Sequence, residues 1–398
     1  MRYSPFVVSL LCMTLVACGG GSGKAQPTAT PVVTETLVAT STPEPAAETL
    51  AFLRENDVWL VDADGTGERR LGLLHVQSFS WVTADELDVV LGGIPGGHYL
   101  VDLEGNTTKL PFPGGGSWSS DGTRYVVSVD QQIVVYDRAG AEVARLTVTP
   151  PVAVETPVVA GKKAMSCSEA TGEGSKMVFG PPAFSADGQS VYVAANCEAF
   201  RGAVGSVAAP VYELPLDGSE QRVLIGLQVD VGFASSIRLS PDGSRLGLTD
   251  LRHGNACGGP STLSVARPDG TGNITITLPE LANVTQPRGG VIGYDWAPAS
   301  DAVVASFDVT DCSGAASGTI EPVLAGLYIV KLDGSPAERL VDGPTSAPAW
   351  SPSGRYVAYV SGENFGQVDL PATLRVLDLT TRQVRDLTTG TSPAWRPE

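Results

Sequence analysis

The feature that most constrains this chain is a four-strand sentence that recurs along it. Its clearest copy runs from Ala347 to Thr388, APAWSPSGRYVAYVSGENFGQVDLPATLRVLDLTTRQVRDLT. Strands are expected at Ala349–Trp350, Tyr356–Val360, Leu374–Leu379 and Val384–Leu387. Pro-Ser-Gly turns the chain after the first and Thr-Thr-Arg after the third. Apolar and polar residues alternate inside the strands, the period of an extended chain. Weaker copies are SFSWVTADELDVVLG at Trp81, SWSSDGTRYVVSV at Trp118, PAFSADGQSVYVAA at Phe184, RLSPDGSRLGLTD at Leu239 and DWAPASDAVVASF at Trp296. Each opens on a large apolar anchor, and most continue to a third strand such as LYIVKLDGS and a charged fourth such as AERLV.

The two ends of the array complete each other. SPAWRPE at the end is a first strand, anchored at Trp395, with nothing after it. LAFLRENDVWLVDADGTGERRL, from Leu50, holds second, third and fourth strands with no first. Pairing the ends makes one full unit, and the anchors at 81, 118, 184, 239, 296, 350 and 395 give seven four-stranded units. Anchor spacings of 118 − 81 = 37 and 395 − 350 = 45 match the period of repeats that close into rings. Closure also removes the exposed edge strands of an open array. With Gly 46 and Pro 29 and no long helical pattern, the chain reads as all-β.

The SPDG-type turns before an alternating strand, at Ser240–Gly243, Ser351–Gly354, Ser119–Gly122 and Ser185–Gly188, resemble the WD-type repeats of TolB-like β-propeller proteins. The resemblance covers nearly all of residues 50–398. It implies a β-propeller of seven blades (six or eight are the alternatives) closed by its last strand, the "velcro" arrangement. The chain differs from the six-bladed periplasmic TolB type in its seventh unit and in lacking a separate N-terminal domain.

Before the repeats come two other segments. Residues 1–18 read as an export signal, with Arg2 before an apolar run, Phe6–Val16, too short to span a bilayer. The run ends in Leu15-Val16-Ala17-Cys18, which resembles the lipobox of bacterial lipoproteins and implies acylation of Cys18. Residues 19–49 form a Gly-, then Thr/Pro/Ala-rich tether that cannot bury enough surface to fold. Such a segment sets a domain roughly 30 Å from the bilayer, and up to about 90 Å when extended. The expectation is therefore an exported monomer, lipid-anchored to the cell membrane or outer membrane on the extracytoplasmic side. A net charge of −17 argues against nucleic acid and against docking on anionic lipid by charge.

Extra length falls mainly between second and third strands, at 147–180, 196–210, 250–260, 308–325 and 361–371, all expected on one face. Loops on a rigid scaffold are where recognition sits. Candidate contacts are Phe200, Arg201, Arg252, His253, Asn255, Glu363, Asn364 and Phe365. Cys167, Cys197, Cys257 and Cys312 fall in the same loops. An even number in an exported chain suggests two disulfides in one of three connectivities, with Cys167–Cys197 and Cys257–Cys312 favoured. No CxxC pair points to a metal. Asp62-Ala63-Asp64-Gly65-Thr66-Gly67-Glu68 resembles the start of a calcium loop, but it lies where a hairpin turn belongs; no cofactor is expected. Asp308, Asp311 and Glu321 share one expected loop. The functions this supports are a binding or scaffold module for an envelope protein or extracellular ligand, and a sensor or assembly partner of an envelope complex. A third is a carbohydrate- or peptide-acting enzyme using carboxylates in the central channel. No G-x-S-x-G nucleophile elbow is present.

Overall fold

The computed structural model describes residues 48–93, 96–148, 177–197, 208–230, 237–250, 260–314, 321–362 and 372–398. Their strands form six hydrogen-bonded sheets, one of which joins eight strands. That sheet is two four-stranded groups linked by a short parallel pair, Pro260 and Ser261 facing Gly289 and Gly290. Only glycine permits this approach. Gly290 lies at φ +140°, and a Cβ there would sit 2.0 Å from the Ser261 carbonyl oxygen. Taken this way, the described strands make seven groups, the blades of a β-propeller.

Blade 1 is the closure. It places Thr391–Trp395 beside Thr49–Arg54, then Asp57–Asp62 and Arg69–Arg70. Leu50 pairs with Trp395 and Ala51 with Ala394, antiparallel. Blades 2 to 7 follow in chain order on the anchors Trp81, Trp118, Phe184, Leu239, Trp296 and Trp350. In blade 4 the first strand is split into Met177–Phe179 and Ala183–Phe184, both paired to Ser190–Cys197. Pro181 and Pro182 fall in the break, where a residue without an N–H cannot extend the ladder.

The expected alternation holds less well in the middle strands. Tyr356–Ser361 buries Val357, Ala358, Tyr359 and Val360 in succession. Gln132–Asp137 buries Ile133, Val134 and Val135. Both faces of each middle strand are covered by neighbouring blades, which favours continuous apolar runs. Every adjacent pair of blades accordingly shares an apolar cluster. Leu50, Phe52 and Trp395 pack toward blade 7 with Ala358 and Val376. Ala51, Val58 and Leu60, on the opposite face, pack toward blade 2 with Leu87 and Val89. The fourth strands of blades 1 and 2 are exposed and short: Arg69–Arg70 has 2 residues, Thr107–Lys109 has 3. Short charged edges discourage pairing with other chains.

Candidate functional site

The repeat's most visible motif is a turn, and the structure shows what each residue in it does. Ser119 Oγ donates to Asp121 at 2.5 Å and accepts from Arg124 N at 3.0 Å, while Asp121 accepts from Thr123 N. Ser185 and Asp187 repeat the pattern, as do Ser240 and Asp242. Gly122, Gly188, Gly243 and Gly354 each take positive φ. Such side-chain bonds satisfy the turn's backbone without help from another element. The Ser119 hydroxyl beside Asp121 holds that carboxyl down to about 2, and Ser240 does the same for Asp242. These carboxylates are structural.

First strands are stitched to each other around the axis. Trp81 Nε1 donates to Ala394 O at 2.9 Å, Trp395 Nε1 to Ala349 O at 3.0 Å, and Trp296 Nε1 to Arg238 O at 3.3 Å. In each case the acceptor is the residue just before the preceding blade's anchor. Side chains at that position reach forward instead. Ser117 Oγ donates to Pro182 O at 2.6 Å, Arg238 Nη1 donates to Tyr294 O at 2.8 Å, and Asp295 accepts from Trp350 N at 2.8 Å. Burial raises the Asp295 carboxyl despite Arg238, 3.8 Å away.

Trp118 breaks the pattern. Its indole N–H donates to Asp88 Oδ2 at 2.6 Å, and Asp88 Oδ1 lies 2.9 Å from His98 Nε2. His98 Nδ1 faces the Phe112 carbonyl at 3.3 Å, so both ring nitrogens face oxygen atoms. Asp88 and His98 are both buried, among Phe112 and Tyr125. Burial and the nearby Asp88 push the Tyr125 phenol up. The signal for this pair was a carboxylate inside the apolar strand ELDVVL, opposite a strand opening with GHYLVD.

Above Trp118 lies a solvent-open depression of 490 Å³. Its walls include Trp81, Trp118, Trp395, Ser80, Ser120 and Pro397, from the first strands of blades 1 to 3 and the turns that follow. No residue lining it is titratable. Its lining includes Ser119 and Ser120 of a first-to-second turn and no residue of the connections in blades 4 to 7.

Phe200, Arg201, Arg252, His253, Asn255, Glu363, Asn364 and Phe365 lie outside the described residues, as do Cys18, Cys167 and Cys257. Two expectations are corrected. Cys197 ends the strand Ser190–Cys197 rather than lying in a loop, whereas Cys312, buried just past Ala302–Asp311, does fall in the expected connection. Asp308, Asp311 and Glu321 also lie in strands, with Asp311 in register with Glu321. The strands of blade 6 run to 10 and 11 residues, longer than the repeat foretells. In the calcium-like segment, Asp64 accepts from Thr66 N and Oγ1, Asp62 accepts from Thr49, and Glu68 bonds Arg54. Each carboxylate is held by the chain itself. Among the described residues no cluster of three metal-ligating side chains occurs.

No family model matches the chain, and no curated protein sequence does. Solved structures do. The oligogalacturonate lyase from Vibrio parahaemolyticus superposes with a TM-score of 0.53 at 12% identity, covering 86% of this chain and 85% of its own. A puromycin hydrolase matches with a TM-score of 0.51 at 17% identity over 79% of this chain, which spans 47% of that enzyme. TolB from Acinetobacter baumannii, with a TM-score of 0.47 and 15% identity, covers 88% of this chain and 67% of its own. The fold found is the one the repeat implies, a β-propeller.

Proposed function

We propose that the chain is an exported, lipid-anchored propeller whose irregular face binds another envelope protein or an extracellular ligand. One observation carries this reading: the uneven distribution of connections. In blades 4 to 7 the second strand stops at Cys197, Asp250, Asp311 and Ser361, and the third resumes only at Ala208, Pro260, Glu321 and Thr373. Antiparallel strands put all four connections on one face of the ring. A rigid ring displaying clustered, variable-length loops is a recognition scaffold. Cys18 acylation would hold the ring at a membrane, and Cys257–Cys312 and Cys167–Cys197 bridges would brace the loops.

In vivo photocrosslinking from Phe200, Arg252 and Phe365 in the full chain tests the reading. One stoichiometric envelope partner is expected, lost when the loop residues are replaced. Turnover of an oligosaccharide or peptide by the purified chain, with no crosslinked partner, would overturn it in favour of an enzyme. Incorporation of labelled palmitate that disappears in Cys18→Ser tests the anchor separately.

A further inference from the structure

We propose that the Trp-lined depression of blades 1 to 3 is a binding site for an uncharged saccharide. The repeat itself supplies the first argument. In blade 7, Ser351 N donates to Tyr356 O at 2.9 Å, while Trp350 stands opposite Val357. Ladder bonding alternates along an antiparallel pair, so the Trp350 N–H turns away from its partner strand. There it meets Asp295 Oδ2 of blade 6 at 2.8 Å. The same register holds in blades 1 and 3. Arg396 N donates to Thr49 O at 2.9 Å beside the Leu50–Trp395 pair, and Ser119 N to Arg124 O at 2.8 Å beside the Trp118–Tyr125 pair. Both first strands end their sheets, so the N–H groups of Trp395 and Trp118 also turn outward. In the place of Asp295 stand Ala349 for Trp395 and Ser80 for Trp118. Among the described residues no acceptor meets either N–H. Both residues line the depression, which therefore holds two backbone donors open to a ligand oxygen.

Charge removes the ionic alternatives. Burial holds the Asp295 carboxyl above its ordinary range even with the Trp350 N–H bonded and Arg238 3.8 Å away. A ligand carboxylate in the depression would meet such a donor with no arginine, in a chain of net charge −17. A cation would find no carboxylate in the lining. A neutral ligand remains, and it must bring both hydroxyls and carbon surface. The indole N–H groups of Trp81, Trp118 and Trp395 are spent on Ala394 O, Asp88 and Ala349 O, so their rings offer a ligand carbon alone. Ser80 and Ser120 are exposed, and neither hydroxyl bonds another described residue. Ser117 Oγ donates to Pro182 O and keeps lone pairs for a ligand O–H. Groups that donate and accept, set among aromatic carbon, suit a sugar, whose hydroxyls rim a ring with C–H faces. A proline-rich segment, another ligand of aromatic walls, has no N–H at its prolines to give Ser117.

The test titrates the full chain, purified in a sugar-free detergent, with cellohexaose, maltohexaose and chitohexaose. Binding is read by tryptophan fluorescence and by saturation-transfer NMR of the sugar protons. At least one hexasaccharide is expected to bind. Ser80→Leu and Ser120→Leu, which fill the depression from exposed positions, should each weaken it at least tenfold while melting like the parent chain. Trp81→Phe, which shrinks the aromatic wall, should weaken it at least threefold. No binding of any of the three sugars up to about 10 mM overturns the proposal. So does binding that both leucine variants leave unchanged. An oligogalacturonate or a proline-rich peptide that binds more tightly than every neutral sugar overturns it in favour of an anionic or peptide ligand. The lining contains no residue of the blade 4 to 7 connections, so loss of sugar binding and loss of an envelope partner are separate results.

Discussion

Blades 1 to 3 and blades 4 to 7 share one ring but are finished differently. In blades 1 and 3 the second and third strands are joined by Glu55–Asn56 and Asp130–Gln131, all four residues at positive φ. That is the two-residue hairpin whose twist matches its strands. In blades 4 to 7 the same junctions are opened by insertions. The first group holds the closure, the buried Asp88–His98 pair and the three tryptophans of the depression. The contrast separates a part of the ring built to hold together from a part built to carry loops. Each can be perturbed without the other, and stability and binding should then respond separately.

The largest effect on stability should come from the closure. Trp395 is 7% exposed, packs near Tyr356 and bonds Ala349 O. Trp395→Ala should cost about 3–5 kcal/mol by cavity formation, read as a lower urea midpoint with unchanged slope. Truncation after Thr389 should prevent a cooperative transition altogether. A truncated chain that unfolds like the parent would break the closed-ring reading.

Next comes the Asp88–His98–Trp118 chain. Asp88→Ala leaves His98 and the Trp118 indole N–H buried without their acceptor. The expected loss is about 3–5 kcal/mol, typical of breaking a buried pair by removing one partner. Asp88→Leu together with His98→Leu should recover part of it, because removing both partners leaves no buried imidazole without its acceptor. A double variant no better than the single would show that the network contributes more than its internal pairing.

The ring was legible in the sequence because its turns are local. Ser119, Asp121 and Gly122 satisfy one another within a few residues, so the motif survives as a readable string. The closure was legible because Trp395 and Leu50 each carry half of a repeat. Continuous burial of Val357–Val360 and the Asp88–His98 pair were not, since both depend on which neighbouring blade covers a strand. The depression escaped for the same reason: its walls come from Trp81, Trp118 and Trp395, which read singly as core anchors. Strand lengths in blade 6 exceed the repeat, which moved Asp308 and Asp311 out of their expected loop.

Smaller effects belong to the turns. Ser119→Ala and Ser240→Ala, one from each half of the ring, should each cost about 1 kcal/mol. A much larger loss in one would mean the two halves do not rely equally on the shared turn. The pH dependence has a defined sign. Asp121 and Asp242 titrate lower in the folded chain than the ordinary value of 3.8. Their contribution is therefore present above about pH 4 and is lost as pH falls through about 2. Acid-unfolding curves of Asp121→Asn and Asp242→Asn should separate from the parent above pH 4 and converge below pH 2. Curves that instead diverge on acidification would reverse the assignment of the Ser hydroxyls as donors to ionised carboxylates.

The smallest stability change is expected where the proposed binding change is greatest. Replacing residues 363–371 with a short Asn-Gly turn leaves the paired strands Tyr356–Ser361 and Thr373–Asp378 intact. Loop-closure entropy changes only slowly with length, about 0.6 kcal/mol per doubling, so the urea midpoint should shift little or rise slightly. Binding measured by crosslinking should fall at least tenfold if this loop belongs to the recognition face. The matched control inserts the same nine residues between Glu55 and Asn56 in blade 1. A tight hairpin at positive φ has no slack, so that insertion should lower stability while leaving binding at blades 4 to 7 unchanged. If instead the two exchanges altered stability and binding in parallel, the ring would be one energetic unit and its division into a holding half and a displaying half would fail.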